Sequence, residues 1–364
     1  MALTIVHAAD VHLETVFPEV RGGAARRAAL ADAFERIIDL AIERAADVLT
    51  IGGDLYEAER AGPQTARAVF AGFARFGKPV FVAPGNHDPY AARSLYARDD
   101  LPANVRVFAD ASWSAVPLAA DVTLYGFGHT PGEPGRPFAG AHFDRPGVRI
   151  ALVHGSDEER CPPGKRATAP FTAAEIRAAG ATVALTGHYH GGSIVSDEHG
   201  PVFAYPGSPE PIKFGERGAH GALVATIADG RVTIESVPLA RTQLIEVEVA
   251  LDAAASDGAV FAACDAALAG CGRHDYVRAT LHGAIATGTR IDLALIGERC
   301  GAGVGALELI DRTIVADYAA IAHESTVRGR VVAELLARAG DGDDDAARAL
   351  ALVVKAFEGA EITA

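Results

Sequence analysis

The sequence predicts an α/β fold: a two-sheet sandwich flanked by helices, followed by a small α/β unit and C-terminal helices. Three observations predict it. β-Branched runs alternate with amphipathic helical stretches through the first hundred residues. Strand-like runs then follow with little helix between them, and the alternating pattern restarts near residue 240.

The first strand is expected over Leu3–Ala9; the start of the chain reads as a strand, not as a basic-then-apolar leader. After a loop with Gly and Arg, Leu30, Phe34, Ile37, Ile38 and Ala41 recur at three-and-four spacing and predict a helix. Asp47–Ile51 is the next strand, ended by Gly52-Gly53. Pro63 suits the first turn of a second helix, and Pro79–Ala83 is a strand closed by Pro84-Gly85. From about Val105 the expected strands are Val122–Gly126, Val148–Val153, Val183–Thr186, Val202–Tyr205, Ala222–Ile227 and Val232–Val237, assigned to a second sheet packed on the first. Two long irregular stretches, Gly128–Gly147 and Ser156–Pro170, interrupt them. Loops of that length inside a compact domain tend to be functional.

Around Leu239–Thr242 the pattern begins again. Ile245, Val247 and Val249 alternate with glutamates as in a half-buried strand. A helix with Val260, Phe261, Cys264 and Leu268 follows, then a strand with Val277, Ala279 and Leu281. A short helix at Leu293–Ile296 and a strand at Leu307–Ile310 complete this unit. Two amphipathic helices come last, one with Val327, Val331, Val332 and Leu335, the other with Leu350, Val353, Val354 and Phe357, separated by the acidic turn Gly340–Asp345. The expected boundaries are 1–239 for the two-sheet domain, 240–324 for the small α/β unit and 325–364 for the helices.

The chain has 364 residues, 49% apolar and 22% charged, the mix of an ordinary globular protein. A net charge of −14 argues against a protein that holds nucleic acid by a basic surface alone. It leaves room for a cationic cleft, or for positive charge supplied by bound metal. No apolar run reaches membrane-spanning length, so no membrane contact is expected. The four cysteines form no CxxC pair and read as reduced thiols of a cytoplasmic protein.

Five short motifs fall at the C-terminal ends of predicted strands: Asp10-Val-His12, Gly52-Gly-Asp54, Gly85-Asn-His-Asp88, His154 after Leu-Val, and Gly187-His-Tyr-His190. All supply oxygen or nitrogen and none supplies sulfur, which suits Mn²⁺, Fe²⁺, Mg²⁺ or Zn²⁺. In an extended backbone the i, i+2 spacing of Asp10/His12 and His188/His190 would point each pair the same way. Asp10, His12, Asp54, Asn86, His154, His188 and His190 make seven candidate ligands, too many for one ion with an open position. Two ions roughly 3.5–4 Å apart, sharing a carboxylate, would use them all. Such a pair makes a hydroxide nucleophile and clamps the oxygens of a displacement at phosphorus. His87, left over from that count, is placed to meet the phosphoryl oxygen or the leaving group. Each motif alone has a bland reading, such as a helix cap for Asp54 or a core position for His154. Their joint occurrence, in this order and at strand ends, does not.

The set resembles the signature of the calcineurin-like metallophosphoesterases over about Leu3 to Pro238. Within that superfamily it is similar to the DNA repair exonuclease branch, the SbcD-type nuclease subunits. His7-Ala-Ala-Asp-Val-His-Leu13, Tyr205-Pro-Gly-Ser-Pro209 with Phe214-Gly-Glu216 after it, and the small α/β unit that follows carry this finer likeness. The resemblance implies a metallophosphoesterase sandwich as catalytic domain and a small capping domain; the C-terminal helices, shorter than the family's long extension, leave two readings open, a docking segment for an SMC-like ATPase or helices packed on their own domain. It implies one ion held by Asp10, His12, Asp54 and His190, and a second by Asp54, Asn86, His154 and His188. Mn²⁺ is the first choice of metal. His87 would be the catalytic histidine, and Asp88 would orient it. His7, ahead of the ligands, reads as a buried strand residue; His129, His142, His199, His220, His274, His282 and His323 receive no role.

The activity implied is two-metal hydrolysis of DNA phosphodiesters in DNA repair, by exonuclease or endonuclease action. Two alternatives stay open: a phosphodiesterase or phosphatase acting on a small nucleotide, favoured by the acidity, and a non-catalytic scaffold for the ATPase. An apolar helical face leaves a homodimer open as well. Arg21, Arg26, Arg27, Lys165, Arg166, Lys213 and Arg217 are expected near the catalytic rim.

Overall fold

The computed structural model describes residues 2–17, 23–132, 134–161, 164, 166–216, 220–251, 256–286, 289, 291–315 and 317–357. It divides into two compact units, 1–242 and 243–364. In chain order the first unit runs β1 (Leu3–Ala8), α1 (Gly23–Glu43), β2 (Val48–Ile51), α2 (Pro63–Phe76), β3 (Val80–Val82), β4 (Val105–Val107), β5 (Ser114–Ala119), β6 (Val122–Phe127), β7 (Val148–His154), α3 (Ala173–Ala178), β8 (Val183–Gly187), β9 (Ser193–Asp197), β10 (Gly200–Tyr205), β11 (Gly221–Ala228) and β12 (Arg231–Pro238).

Two six-stranded sheets result, ordered β12-β11-β1-β2-β3-β4 and β5-β6-β7-β8-β10-β9. Strands β1 to β4 are parallel, as are β6, β7, β8 and β10, so each set ends at one edge of its sheet. Loops leaving those edges are where an α/β fold builds its sites. The sheets face one another across Ile5, Val48, Phe81, Leu124, Ile150, Leu152, Val183 and Leu185. Helices α1 and α2 cover the first sheet with Leu30, Phe34, Ile37, Ile38, Val69 and Phe73. Phe138, Phe143 and Phe171 cover the far side of the second, packing with Phe203 of β10. Full burial of each such side chain is worth roughly 1.5–3 kcal/mol.

One expectation is corrected. Strands β11 and β12 belong to the first sheet, antiparallel beside β1 with Ile5 opposite Ala225. The cause is burial on both faces: Val224 packs into the helix-side core while Ala225 and Ile227 pack between the sheets. A place beside β1 offers apolar partners on both sides. Four elements of the first unit go beyond the expected set. Three-residue β4 and the strands β5 and β9 lie at sheet edges, and six-residue α3 is marked only by the Thr172/Glu175 capping box at its start.

The second unit runs β13 (Leu244–Ala250), α4 (Asp257–Leu268), β14 (Tyr276–Ile285), α5 (Leu293–Cys300), β15 (Ala306–Val315), α6 (Tyr318–Ala322), α7 (Val327–Gly340) and α8 (Asp344–Phe357). Its three strands form a parallel sheet in sequence order. Val249, Val277, Ala279 and Leu281 pack against Val260, Cys264, Leu268 and Ile296 of α4 and α5. The other face of the sheet carries charge, with Arg278 paired to Glu246 and Glu308. Ile321, Val332, Leu350 and Val354 join the last three helices. None of the four cysteines is in a disulfide, and no helix among the described residues is long and apolar enough to cross a membrane.

Candidate metal centre

The loops after β1, β2, β3, β7 and β8 converge, and they bring together all seven side chains proposed as ligands. Asp10 and His12 follow β1, and Asp54 follows β2. All three have positive φ (55°, 52° and 52°), a conformation that costs a non-glycine residue energy and that clusters at functional sites. The extended backbone expected for Asp10-Val-His12 is therefore absent, and His188, with φ 114°, departs from it too. Backbone pairing holds the bent loops: the amides of Asp10, His12 and Leu13 donate to the carbonyls of Gly53, Asp54 and Leu55.

The two sheets meet at small residues. A Cβ on Gly187 would lie 2.2 Å from the Gly52 carbonyl oxygen, so only glycine permits this approach. His7 bridges the same seam, with Nδ1 at 2.9 Å from Thr50 Oγ1 and Nε2 at 3.0 Å from the Thr186 carbonyl. As expected, it is a buried strand residue.

The donor set suits divalent cations. His154 Nδ1 lies 2.8 Å from the Gly52 carbonyl, to which it donates, so the neutral ring turns the Nε2 lone pair inward. That Nε2 faces Asp54 Oδ2 at 3.2 Å and Asn86 Oδ1 at 3.1 Å, both lone-pair atoms. His12 repeats the arrangement: Nδ1 donates to Glu57 Oε1 at 2.8 Å, while Nε2 is buried without a hydrogen-bond partner, 3.7 Å from Asp54 Oδ2. Lone pairs facing lone pairs in a buried site call for positive charge. The protein alone meets the demand with a proton: burial pushes the His154 pKa down, but Asp54 outweighs it and holds the group at about 9. Burial and the His154 charge bring His188 down to about 3, a neutral ring with a free lone pair. Ligand atoms of Asp10, His12 and His190 lie within 4.8 Å of one another, as do those of Asp54, His154 and His188.

His87 lies outside these two groups, its side chain 46% exposed, with Nδ1 2.9 Å from Glu57 Oε2 and its backbone N–H donating to Asp54 Oδ1. The Glu57 hydrogen bond raises its pKa. The role expected for Asp88 is corrected. Its carboxylate accepts from the amides of Asp54, Leu55 and Gly85 and from the Tyr96 hydroxyl, and makes no hydrogen bond to His87. Asp88 therefore holds the Asp54 loop, and Glu57 holds His87. Sequence reading missed Glu57 because nothing local distinguishes it from a surface acid three residues past Asp54. Glu216 had a signal, the Phe214-Gly-Glu216 segment; it accepts from His190 Nδ1 and from the Ile212 amide.

The basic residues expected at the rim divide. Arg26 is fully buried on α1, where it donates to the Pro211 carbonyl and lies 3.8 Å from Glu210, so it is a structural cation. Arg27, Arg166 and Lys213 are exposed, and Arg21, Lys165 and Arg217 lie outside the described residues. Among the histidines given no role, His129 is buried with Nε2 at 2.8 Å from the His154 carbonyl, and His142 and His199 are exposed.

Comparison with known proteins places these features in context. The model of the family described as calcineurin-like phosphoesterase matches residues 3–192. An uncharacterized metallophosphoesterase of Bacillus subtilis, YhaO, is 26% identical over 255 residues, 64% of this chain and 59% of the relative. The DNA double-strand break repair protein Mre11 of Methanopyrus kandleri is 27% identical over 250 residues, 60% of this chain and 52% of the relative. The chain thus matches between half and three fifths of the length of these relatives. A crystal structure of a dimetal phosphatase from Danio rerio superposes on 65% of this chain and 97% of its own, with a TM-score of 0.43 at 12% identity.

Proposed function

Because this chain belongs to the calcineurin-like phosphoesterases, we propose that it is a two-metal phosphodiesterase that cleaves DNA, a nuclease of DNA repair in the cytoplasm. The observation that carries the reading is the gathering of seven lone-pair side chains from five loops around a site that demands positive charge. The 27% identity to a protein named for double-strand break repair supports DNA as the substrate.

Asp10, His12, Asp54 and His190 would hold one divalent cation, and Asp54, Asn86, His154 and His188 the other, with Mn²⁺ first among the candidates. When bound, such a pair makes hydroxide available near neutral pH and neutralises charge on the phosphoryl oxygens. The protein's own groups do the rest. Asp88 and the backbone contacts fix Asp54, the shared ligand. Glu57 keeps the His12 ring oriented with Nε2 inward. Glu57 also favours the protonated form of His87, whose exposed ring can give a proton to the departing oxygen. Residues 240–324 would act as a cap and 325–364 as an ATPase-docking segment.

The net charge of −14 favours a second reading, in which a small nucleotide replaces DNA. Purified protein with Mn²⁺ tests both. Degradation of DNA that is lost in His87→Ala and Asn86→Ala supports the nuclease. Turnover of a cyclic or mononucleotide with no oligonucleotide binding at low salt replaces it with the second. Turnover of neither removes both.

A further inference from the structure

The two long loops that interrupt the second sheet have a use beyond connection. Together they wall a cavity of about 420 Å³ that reaches Asn86. Pro89, Pro131, Pro134 and Pro170 line it, rigid aliphatic surfaces without amide donors, and Arg166 adds a cation. Arg136 fastens the loops to each other. Its Nη1 and Nη2 donate to the two oxygens of Glu158 at 3.0 Å, and its Nε and Nη2 to those of Glu175 at 3.0 and 2.9 Å. Glu175 also closes the capping box with Thr172, so the clasp is tied to the start of α3.

We propose that this cavity receives the nucleoside attached to the scissile phosphate, and that Arg136 is the positioning residue that sets its width. The proposal rests on the phosphodiester reading of the metal centre. Three features point to this occupant. The volume is that of a small-ligand pocket. Duplex DNA, whose major groove alone is about 12 Å wide, cannot enter, whereas one unpaired nucleoside can. Proline faces suit a flat base, and Asn86 places one end of the cavity against the proposed ligands. A nucleoside on a phosphate is common to a frayed DNA end and to a free nucleotide. The clasp is half exposed, so its hold weakens as salt screens it.

Titration calorimetry on the full chain with Mn²⁺ tests this, with inorganic phosphate, thymidine 5′-monophosphate and a 5′-phosphorylated oligothymidylate as probes. The wild type is expected to bind the nucleotide at least about tenfold tighter than phosphate. Ala167→Phe, which fills the cavity, removes that margin and leaves phosphate affinity unchanged. Arg136→Met weakens the nucleotide about threefold to tenfold, again without touching phosphate, and Arg136→Lys, which keeps the charge but loses the fork, falls between. Equal affinity for nucleotide and phosphate in the wild type overturns the cavity assignment, as does an Ala167→Phe variant with unchanged nucleotide affinity. An Arg136→Met variant that weakens phosphate as much as nucleotide overturns the role of Arg136. Loss of oligothymidylate binding in Ala167→Phe supports the cavity with a strand end as its source, and retention with loss of the mononucleotide supports it with a free nucleotide. Nucleotide binding without phosphate binding counts against the metal-centre reading while leaving the cavity assigned.

Discussion

The backbone N–H of His188 donates to both carboxylate oxygens of Asp10, 3.0 Å from each, across 178 residues of chain. This contact fastens the loop after β1 in one sheet to the loop after β8 in the other. It also stops the carboxylate from rotating, so the remaining lone pairs keep their aim toward His12 and His190. Asp10→Asn keeps the shape and removes the charge. It is expected to bind fewer than two Mn²⁺ per chain by elemental analysis and to lose about 100-fold or more in kcat. Two ions with full activity would remove Asp10 from the ligand set.

Glu57 serves two histidines, and its replacement should expose both roles. Glu57→Gln offers one acceptor oxygen where two rings are held, and a loss of about 10- to 100-fold in activity is expected. The pH profile gives the more specific readout. The Glu57 hydrogen bond raises the His87 pKa, so the protonated acid is lost only as pH rises through that raised value. Removing the carboxylate lowers the value, and the alkaline limb of the rate profile should move to lower pH. An unmoved limb would leave His87 without this role.

Gly85 is expected to tolerate no side chain. A Cβ there would sit 2.3 Å from Asp54 Oδ1 and 2.7 Å from the Asp54 amide. Gly85→Ala should cost about 1–3 kcal/mol of stability in denaturant titration. It should also weaken metal binding about 10- to 100-fold, since the displaced group is the proposed shared ligand. Unchanged metal affinity would show that Asp54 can shift without consequence.

His7 predicts acid sensitivity unrelated to catalysis. Burial pushes its pKa down to about 4, against about 6.5 in an unfolded chain, and His129 is lowered likewise. The folded state therefore resists protonation. The contribution of these two histidines is complete above pH of about 6.5 and declines as pH falls toward 4, by about 1.4 kcal/mol per pH unit for each group. Denaturant unfolding in chelator, which removes metal from the comparison, should show this slope. His7→Asn should reduce it by one proton's worth, and an identical slope in the variant would refute the assignment.

Arg26 offers a check on its reassignment from rim to core. Glu210 is buried between Arg26 and Arg36 and accepts from the amides of Arg241 and Thr242. Glu210→Ala, which leaves buried guanidinium charge uncompensated, should cost about 3–5 kcal/mol in chemical denaturation. Arg26→Met should likewise change stability while leaving the salt dependence of DNA binding as it was. A smaller salt slope in that variant would return Arg26 to the substrate path.

The candidate site was legible to an unusual degree because its candidate ligands sit within short motifs. Asp10 with His12, or His188 with His190, are two residues apart, and local spacing survives any fold. The helices α1 and α2 were legible for a related reason, since Leu30, Phe34, Ile37 and Ile38 declare one buried face by periodicity. Where the sequence misled, the missing information was non-local. The sheet that takes β11 depends on Val224 and Ala225 each finding an apolar partner, and those partners are over a hundred residues away. Nothing near Arg26 in the chain announces Glu210. Asp88 belongs to the same motif as His87 yet turns away from it, toward amides thirty-odd residues earlier.

From its residues alone, then, this chain declared its fold class, the inventory of oxygen and nitrogen donors, and their order along the strands, because periodicity and motif spacing are local properties. Folding chose the partners: Glu57 for His87, Asp88 for the Asp54 loop, Asp10 for the His188 amide, and Arg136 for the two carboxylates that shape the cavity. Those choices depend on which loops the parallel strands of the two sheets bring to a common edge, and on how closely Gly52 and Gly187 let the sheets approach. Burial then decides which charges must be answered, and only a packed structure has an interior.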